Sequence, residues 1–401
     1  MIDVRWKSPF PYTLAFNLFK KHFTELNNAY WAFVPANNTI KSLAKKNLKN
    51  ESDDPKKFFL IPDDEDRRMA PTFGEWKKSI DTFAQYTRLN MVMLLSSCFE
   101  TYLRTVVALA FESDPGVLIL AHQSVDGVNL LKGNLDYGNI NGKDYLFQKE
   151  VDSICHGVWE VRLSNFQHFF GSLPNTVIDR KDDLDNLRKT RNNIGHFFGR
   201  TKEKYSSPLV LSPSDIQSVS HTQLLKFFAI VFNTAEAIDS YLQINYIGSY
   251  DIMKLYITRK RPYEGISKSS VLRAREFKKY LGENGLLRAD LDYFINLVNL
   301  CDIDIAHNQC IYCARTCIRE INEQLKNRGI TLFRDTHERR FNKSDLIKIV
   351  KSNQWRTNHE YCQRNPLNPQ QNEYLYSAKA VDEIVKMVAA NPAEFNIYMK
   401  N

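Results

Sequence analysis

Apolar residues along this chain recur three and four positions apart far more often than they alternate, the pattern of helices packed through one face. The longest such run, "NMVMLLSSCFETYLRTVVALAFE", centres a helix expected from about 78 to 112. A second helix is expected at about 144–171, a third over "DRKDDLDNLRKTRNNIGHFF", and a fourth over "PSDIQSVSHTQLLKFFAIVFNTAEAIDSYL". The Ser214–Asp215 pair of the fourth segment is an N-terminal capping signal. Between the first two lies "DGVNLLKGNLDYGNINGKD", whose Gly, Asn and Asp content marks a loop. A last helix is expected at about 377–390.

Punctuation in the pattern suggests three segments. Residues 1–75 pass through "NNTIKSLAKKNLKNESDDPKKFF" and "PDDEDRR", charged pieces expected as surface loops of an N-terminal extension. Residues 76–245 form a helical domain. Pro, Gly, Ser and a basic run cluster in "ITRKRPYEGISKSS", the expected boundary before a second, mostly helical domain at 250–401. The fold class expected is mainly α.

Composition narrows the classes. A 43% hydrophobic and 25% charged composition is that of an ordinary globular protein, and 401 residues are enough for two or three domains. No stretch of 18 uninterrupted apolar residues predicts a membrane span, and the first residues lack a secretory leader pattern, so a cytoplasmic protein is expected. Cys98, Cys155, Cys301, Cys310, Cys313, Cys317 and Cys362 are odd in number and unevenly spread, which predicts reduced thiols rather than a disulfide framework. The net charge of +8 suits a polyanionic partner without establishing one.

Candidate chemistry begins at "RKTRNNIGHFFGR", residues 188–200. Leu184, Leu187, Ile194 and Phe198 have the spacing of a buried stripe, and Arg191 stands where another apolar residue is expected. A guanidinium there needs an anion, a cleft or an interface. Asn192 and His196, four apart, share a face. Arg191 and His196, five apart, are about 140° around an ideal helix, so Arg191's reach or a second copy must bring them together. A salt-bridged Arg and a packed His would be the structural explanation of the same residues.

The segment "RNNIGH" resembles the R-x4-6-H signature of HEPN domains, and "MLLSSCFETYLRTVV" is similar to the first HEPN helix with its "FE-x-Y/F-L-R" core. The resemblance covers about residues 78–245. It implies a HEPN-like bundle in which Arg191, Asn192 and His196 match the family's ribonuclease residues. The implied reaction is cleavage of RNA without metal or cofactor, through attack of a ribose 2′-OH on the adjacent phosphate. His196 would act as the proton acceptor and Arg191 would stabilise phosphate charge. The family further implies a dimer with two motifs at one cleft, and a bacterial defence or toxin role with an antitoxin or defence-system partner. A non-catalytic HEPN scaffold that binds RNA or protein is the alternative. Glu100 is placed to pair with Arg191, or else is an exposed helix residue. Arg188 and Lys189, with Arg180, Lys181, Arg200, Lys202 and Lys204, make a basic cluster around the motif, partly offset by Asp182, Asp183 and Asp185.

A shift of 111 residues brings the pattern back in "NLCDIDIAHNQCIYC". It resembles a HEPN motif of the abortive-infection type with Asp302 in place of the Arg and with His307 kept. The second domain would then be a degenerate HEPN-like partner that makes the chain an internal pseudo-dimer, or its helix matches by chance. Cys310, Cys313, His359 and Cys362 have zinc-ligand spacing, although Cys310, Cys313, Cys317, Ile321 and Leu325 also read as one helical stripe. "GNINGKD" lacks the spacing of a phosphate-binding loop, and no G-x-G-x-x-G or G-x-S-x-G occurs.

Overall fold

The computed structural model describes residues 5–60, 68–120, 122–132, 136–140, 144–200, 214–259, 269–285, 289–302, 310–313, 362–364 and 374–390, with a few isolated positions between them. The fold is mainly α, as the periodicity predicts. Its helices are α1 (Leu14–Asn47), α2 (Phe73–Ser113), α3 (Gly127–Lys132), α4 (Gln148–Cys155), α5 (Trp159–Phe170), α6 (Asn175–Ile178), α7 (Lys181–Phe197) and α8 (His221–Leu242). They are followed by α9 (Tyr250–Thr258), α10 (Ser270–Glu283), α11 (Leu291–Asp302) and α12 (Ala378–Ala390). Three short strands, β1 (Cys310–Cys313), β2 (Cys362–Arg364) and β3 (Tyr374–Ser377), form an antiparallel sheet in the order β1-β3-β2.

The contacts do not divide the chain at a single linker. One compact unit takes Ala15–Val106 and Asp152–Tyr241, and the other takes Met1–Leu14, Val107–Val151 and Leu242–Asn401. The first unit is a helical bundle with an aromatic core. Phe16 and Phe19 of α1 pack on Tyr102 of α2 at ring distances of 5.8 and 5.0 Å, and Phe23 lies between Phe228 and Phe232 of α8. The Tyr102 hydroxyl donates to Ala235 O at 2.9 Å and to Asp239 Oδ1 at 3.2 Å, so this buried phenol keeps its polar end satisfied.

In the other unit the N-terminal residues are tied down by Arg5. Its guanidinium donates to Asp126 at 2.7 Å, to Ile247 O at 3.0 Å and to Ser113 O at 2.8 Å. Gly248 adopts φ +56 beside it, where a Cβ would stand 2.4 Å from Arg5 O, so only glycine fits both the conformation and the approach. Glu112 is the polar centre of this unit. Its Oε1 accepts from the Tyr145 hydroxyl at 3.0 Å, while Oε2 accepts from the Tyr250 hydroxyl at 3.4 Å and pairs with Lys254.

Differences from the sequence expectations have local causes. The expected helix at 144–171 is two helices, α4 and α5, because Gly157 at φ +92 turns the chain between them. The fourth helix starts at His221, capped by Ser220, whose Oγ accepts from Gln223 N at 3.0 Å; Ser214–Asp215 is not its cap. The first part of the expected loop piece, residues 37–47, is the end of the 34-residue α1, where Ala44, with Leu48 just past the helix, packs with Phe73 and Trp76. By length and composition alone α2 qualifies as a membrane-crossing helix, with a mean hydropathy of 1.4 over its most apolar window. Half of that window is buried within the protein, which is the setting of a core helix.

Asp251 makes stability depend on pH. It is buried, and although Leu14 N and Ile252 N donate to it at 2.7 and 2.8 Å, burial raises its pKa to about 6. Between about pH 4 and that value the folded chain holds a proton that the unfolded chain has released, so this group makes stability fall as pH rises through the window. Asp185, held at about 2 chiefly by Arg188, gives the opposite slope below about pH 4. Urea unfolding midpoints of Asp251→Asn and wild type should therefore converge toward acid and separate toward pH 7, with the variant gaining. A difference that is constant from pH 4 to 7 would overturn this assignment.

Candidate functional site

α7 opens with Asp182 and Asp183 in its first turn, where unpaired N–H groups favour acidic side chains. It closes with Phe198 in the left-handed conformation at φ +53. Its buried residues are Leu184, Leu187, Thr190 and Ile194. Thr190, rather than Arg191, fills the stripe between Leu187 and Ile194, and the cap turns Phe198 outward to 82% exposure. Arg191 is thereby placed at the rim of the buried face, with its side chain about one-third exposed.

The rim is where Arg191 meets α2. Its Nη2 lies 3.6 Å from Glu100 Oε2, and its Nη1 donates to Asn192 Oδ1 at 3.2 Å. Its Nε is buried without a hydrogen-bond partner, a position that costs about 1–3 kcal/mol for an N–H group. His196 is exposed in the last turn, edge-on to Phe197 with ring centroids 6.4 Å apart. The structure thus brings Arg191, Asn192 and Glu100 into contact and places His196 on open surface of the same helix. The guanidinium held by Glu100 and Asn192 can bind a phosphate, and the exposed imidazole, about 140° around the helix from it, can move a proton.

The expected basic cluster is largely occupied. Arg188 donates from Nε and Nη2 to Asp185 at 2.8 and 3.4 Å, and Lys189 Nζ is 3.3 Å from the same carboxylate. Lys181 is 3.7 Å from Glu160, and Arg200 donates to Ser214 O and to the Tyr86 hydroxyl. Lys202 and Lys204 lie outside the described residues. Charge that looks free along the sequence is here committed to neighbouring carboxylates and carbonyls.

Asp302 ends α11 and accepts from Arg273 of α10 at 2.6 Å, so its carboxylate links two packed helices. His307 and His359 lie outside the described residues. Cys310 and Cys313 are in β1 and Cys362 is in β2, where the backbone pairs Cys310 with Ser377 and Cys362 with Tyr376 of β3. The helical stripe expected through Cys310 and Cys313 is therefore corrected to strand, in keeping with the β-favouring Ile311 and Tyr312 between them. Among the described residues no cluster of three or more His, Cys, Asp or Glu side chains is placed to hold a metal.

A surface groove of about 540 Å³ lined by Lys77, Lys78, Asp81, Gln85 and Ser218 is a separate feature of the same unit. It begins at least 15 residues along α2 from Glu100, roughly 20 Å in a helix, and shares no residue with the Arg191 site. Sequence reasoning missed Arg162 of α5, an almost fully buried arginine whose guanidinium lies 4.8 Å from the Trp159 ring centroid. A single Arg in "WEVRLSNF" has no spacing that sets it apart from a surface residue.

Comparison with known proteins adds one finding. Residues 305–400 match the sequence model of a family described as the EC042_2821-like Restriction Endonuclease-like domain. No curated protein matches the chain, and no solved structure does. The match corrects the HEPN resemblance: it points to a nuclease-type domain of a different kind, in the segment where a degenerate HEPN-like partner was expected. The physical reason is the low information in the motif. Arg and His a few residues apart on a helix edge arise readily wherever an amphipathic helix meets solvent. In the second copy, moreover, Asp302 has the structural task of binding Arg273.

Proposed function

We propose that this protein is a nuclease that cleaves RNA at the surface of α7. His196 takes the proton of a ribose 2′-OH, and the freed oxygen attacks the adjacent phosphorus. The P–O5′ bond breaks, the departing 5′ oxygen takes up a proton from solvent, and the products are a 2′,3′-cyclic phosphate and a 5′-OH end. Arg191 faces the non-bridging oxygens and stabilises their charge as the bond order changes, and Asn192 orients Arg191. The observation that carries the reading is Arg191 itself, held at the rim by Glu100 at 3.6 Å and by Asn192 at 3.2 Å on the helix that also carries the exposed His196. The nuclease-type similarity at 305–400 supports phosphodiester cleavage in general and does not choose RNA over DNA. A cytoplasmic defence effector is the role in which we place such an activity.

A second reading comes from the comparison: the segment 305–400 performs the phosphodiester chemistry, and α7 only binds the nucleic acid. The two are separated by incubating the full chain with matched RNA and DNA strands, with EDTA and with Mg²⁺. The first reading expects RNA cleavage that persists in EDTA, stops when 2′-deoxyribose is placed at the cleaved position, and leaves cyclic phosphate ends. Cleavage of DNA at a comparable rate, or activity lost in EDTA and restored by Mg²⁺, would overturn the first reading in favour of the second.

A further inference from the structure

We infer that Glu100 is the resting counter-ion of Arg191 and that a substrate phosphate binds by displacing it, so this carboxylate sets which anions the α7 site admits. The inference rests on the functional reading above and deepens it, since it concerns how the same guanidinium takes hold of RNA. Glu100 belongs to α2 and Arg191 to α7, two helices of one compact unit. The side chains meet directly, with Arg191 Nη2 3.6 Å from Glu100 Oε2. Both reach solvent, 34% of the arginine and 37% of the glutamate side chain being exposed.

The pair leaves Arg191 poorly served. The Nε–Nη2 edge of a guanidinium is able to form two parallel hydrogen bonds of about 2.7–2.9 Å with a carboxylate or a phosphate. Here Nη2 stands 3.6 Å from one carboxylate oxygen, beyond hydrogen-bond length, and Nε has no hydrogen-bond partner. A loose, partly exposed pair of this kind holds its members weakly. The two non-bridging oxygens of a phosphodiester span the same edge, so the exchange replaces one long contact by a bidentate one. Nε is buried in the resting pose, and the exchange therefore turns the guanidinium outward, away from α2.

Asn192 sets the direction of that turn. Around α7, Asn192 is about 100° from Arg191 and His196 about 140° in the same sense. The hydrogen bond from Arg191 Nη1 to Asn192 Oδ1, at 3.2 Å, therefore draws the guanidinium toward the imidazole, while the ion pair draws it toward α2. With Glu100 displaced, Arg191 stays tethered on the His196 side, and the bound phosphate approaches the proton acceptor. The resident carboxylate also selects among anions. One that binds Arg191 no better than Glu100 does gains nothing by entering, which favours phosphate over carboxylates.

Equilibrium binding of a labelled 2′-O-methyl RNA, which lacks the attacking hydroxyl, tests this on the full chain as wild type, Glu100→Gln, Arg191→Ala and the double variant. Glu100→Gln should tighten binding about two- to fivefold, the range a partly exposed ion pair allows, and raise kcat/KM on cleavable RNA by a similar factor. In the Arg191→Ala background Glu100→Gln should gain nothing. Asp182→Asn, which removes a carboxylate from the first turn of α7, should have the smaller effect. Inorganic phosphate should move the Arg191 Nε–Hε resonance in ¹⁵N spectra, and at lower concentration in Glu100→Gln. A Glu100→Gln chain that binds more weakly or has a lower kcat/KM would make Glu100 a positioning group and overturn the inference. So would a gain that persists in Arg191→Ala or is matched by Asp182→Asn. If His196→Ala cleaves like wild type, the RNA-cleavage reading fails, and the binding cycle on the 2′-O-methyl strand still decides the role of Glu100.

Discussion

His196→Ala is expected to lower RNA cleavage by at least about 10²-fold, the usual contribution of a positioned proton acceptor. Arg191→Ala should cost a similar factor through lost stabilisation of phosphate charge. Neither change should unfold the protein. His196 is exposed, so its truncation opens no core cavity. The Arg191–Glu100 pair is one-third exposed on both sides, and pairs of that kind contribute about 0–1 kcal/mol. Removing Arg191 also removes its buried, unpartnered Nε. Initial rates on a labelled RNA, recorded beside thermal unfolding curves, test both statements. His196→Ala that cleaves within about threefold of wild type would exclude it as the proton acceptor.

For stability the largest expected effect is at Glu112. It is 3% exposed and serves three donors, the Tyr145 and Tyr250 hydroxyls and the Lys254 ammonium. Glu112→Ala takes this acceptor from all three, and since Lys254 is one-third exposed while the phenols are buried, the loss should be about 1–3 kcal/mol. That is a large share of the roughly 5–15 kcal/mol that holds a typical domain folded. Glu112→Gln keeps one acceptor oxygen and turns the other into an NH2 donor, losing the ionic pair and one acceptor, so it should fall between wild type and Ala. Urea midpoints with matched slopes give the comparison. A loss below about 1 kcal/mol in Glu112→Ala would mean that water replaces the carboxylate, contrary to its burial.

Much of the helical order was legible because burial and period coincide. α2 and α7 each carry an apolar stripe, and their limits fall within a few residues of those expected. Arg191 was legible as an anomaly, a charge expected in that stripe, although the structure puts Thr190 there and Arg191 at its rim. What escaped was whatever depends on a partner distant in sequence. α1 hides its apolar side in a Lys- and Asn-rich stretch, and only Phe73 and Trp76 reveal it. Cysteines three apart in 310–313 fit a helix as well as a strand until β3, more than 60 residues later, supplies the pairing. Arg162 has no local signature, since its burial against Trp159 is set by the folded bundle. Conversely, the recurrence around Asp302 and His307 was legible but misleading, because a short spacing carries too few constraints to identify a domain.

The anchoring of Arg5 has a consequence for the order of events during synthesis. Arg5 binds Ile247 O, and its own carbonyl accepts from Ser249 N, partners more than 240 residues downstream. At about 5–20 residues per second, a ribosome needs on the order of tens of seconds to deliver those partners after Arg5 has emerged. Until then the N-terminal segment can reach Ser113 and Asp126 but lacks its partners at 247 and 249, while residues 15–106 and 152–241 can assemble as soon as the latter are released. A nascent chain stalled with residue 241 outside the ribosome and residue 247 still inside should therefore carry an N-terminal segment more protease-sensitive than in the finished protein, together with a protected bundle.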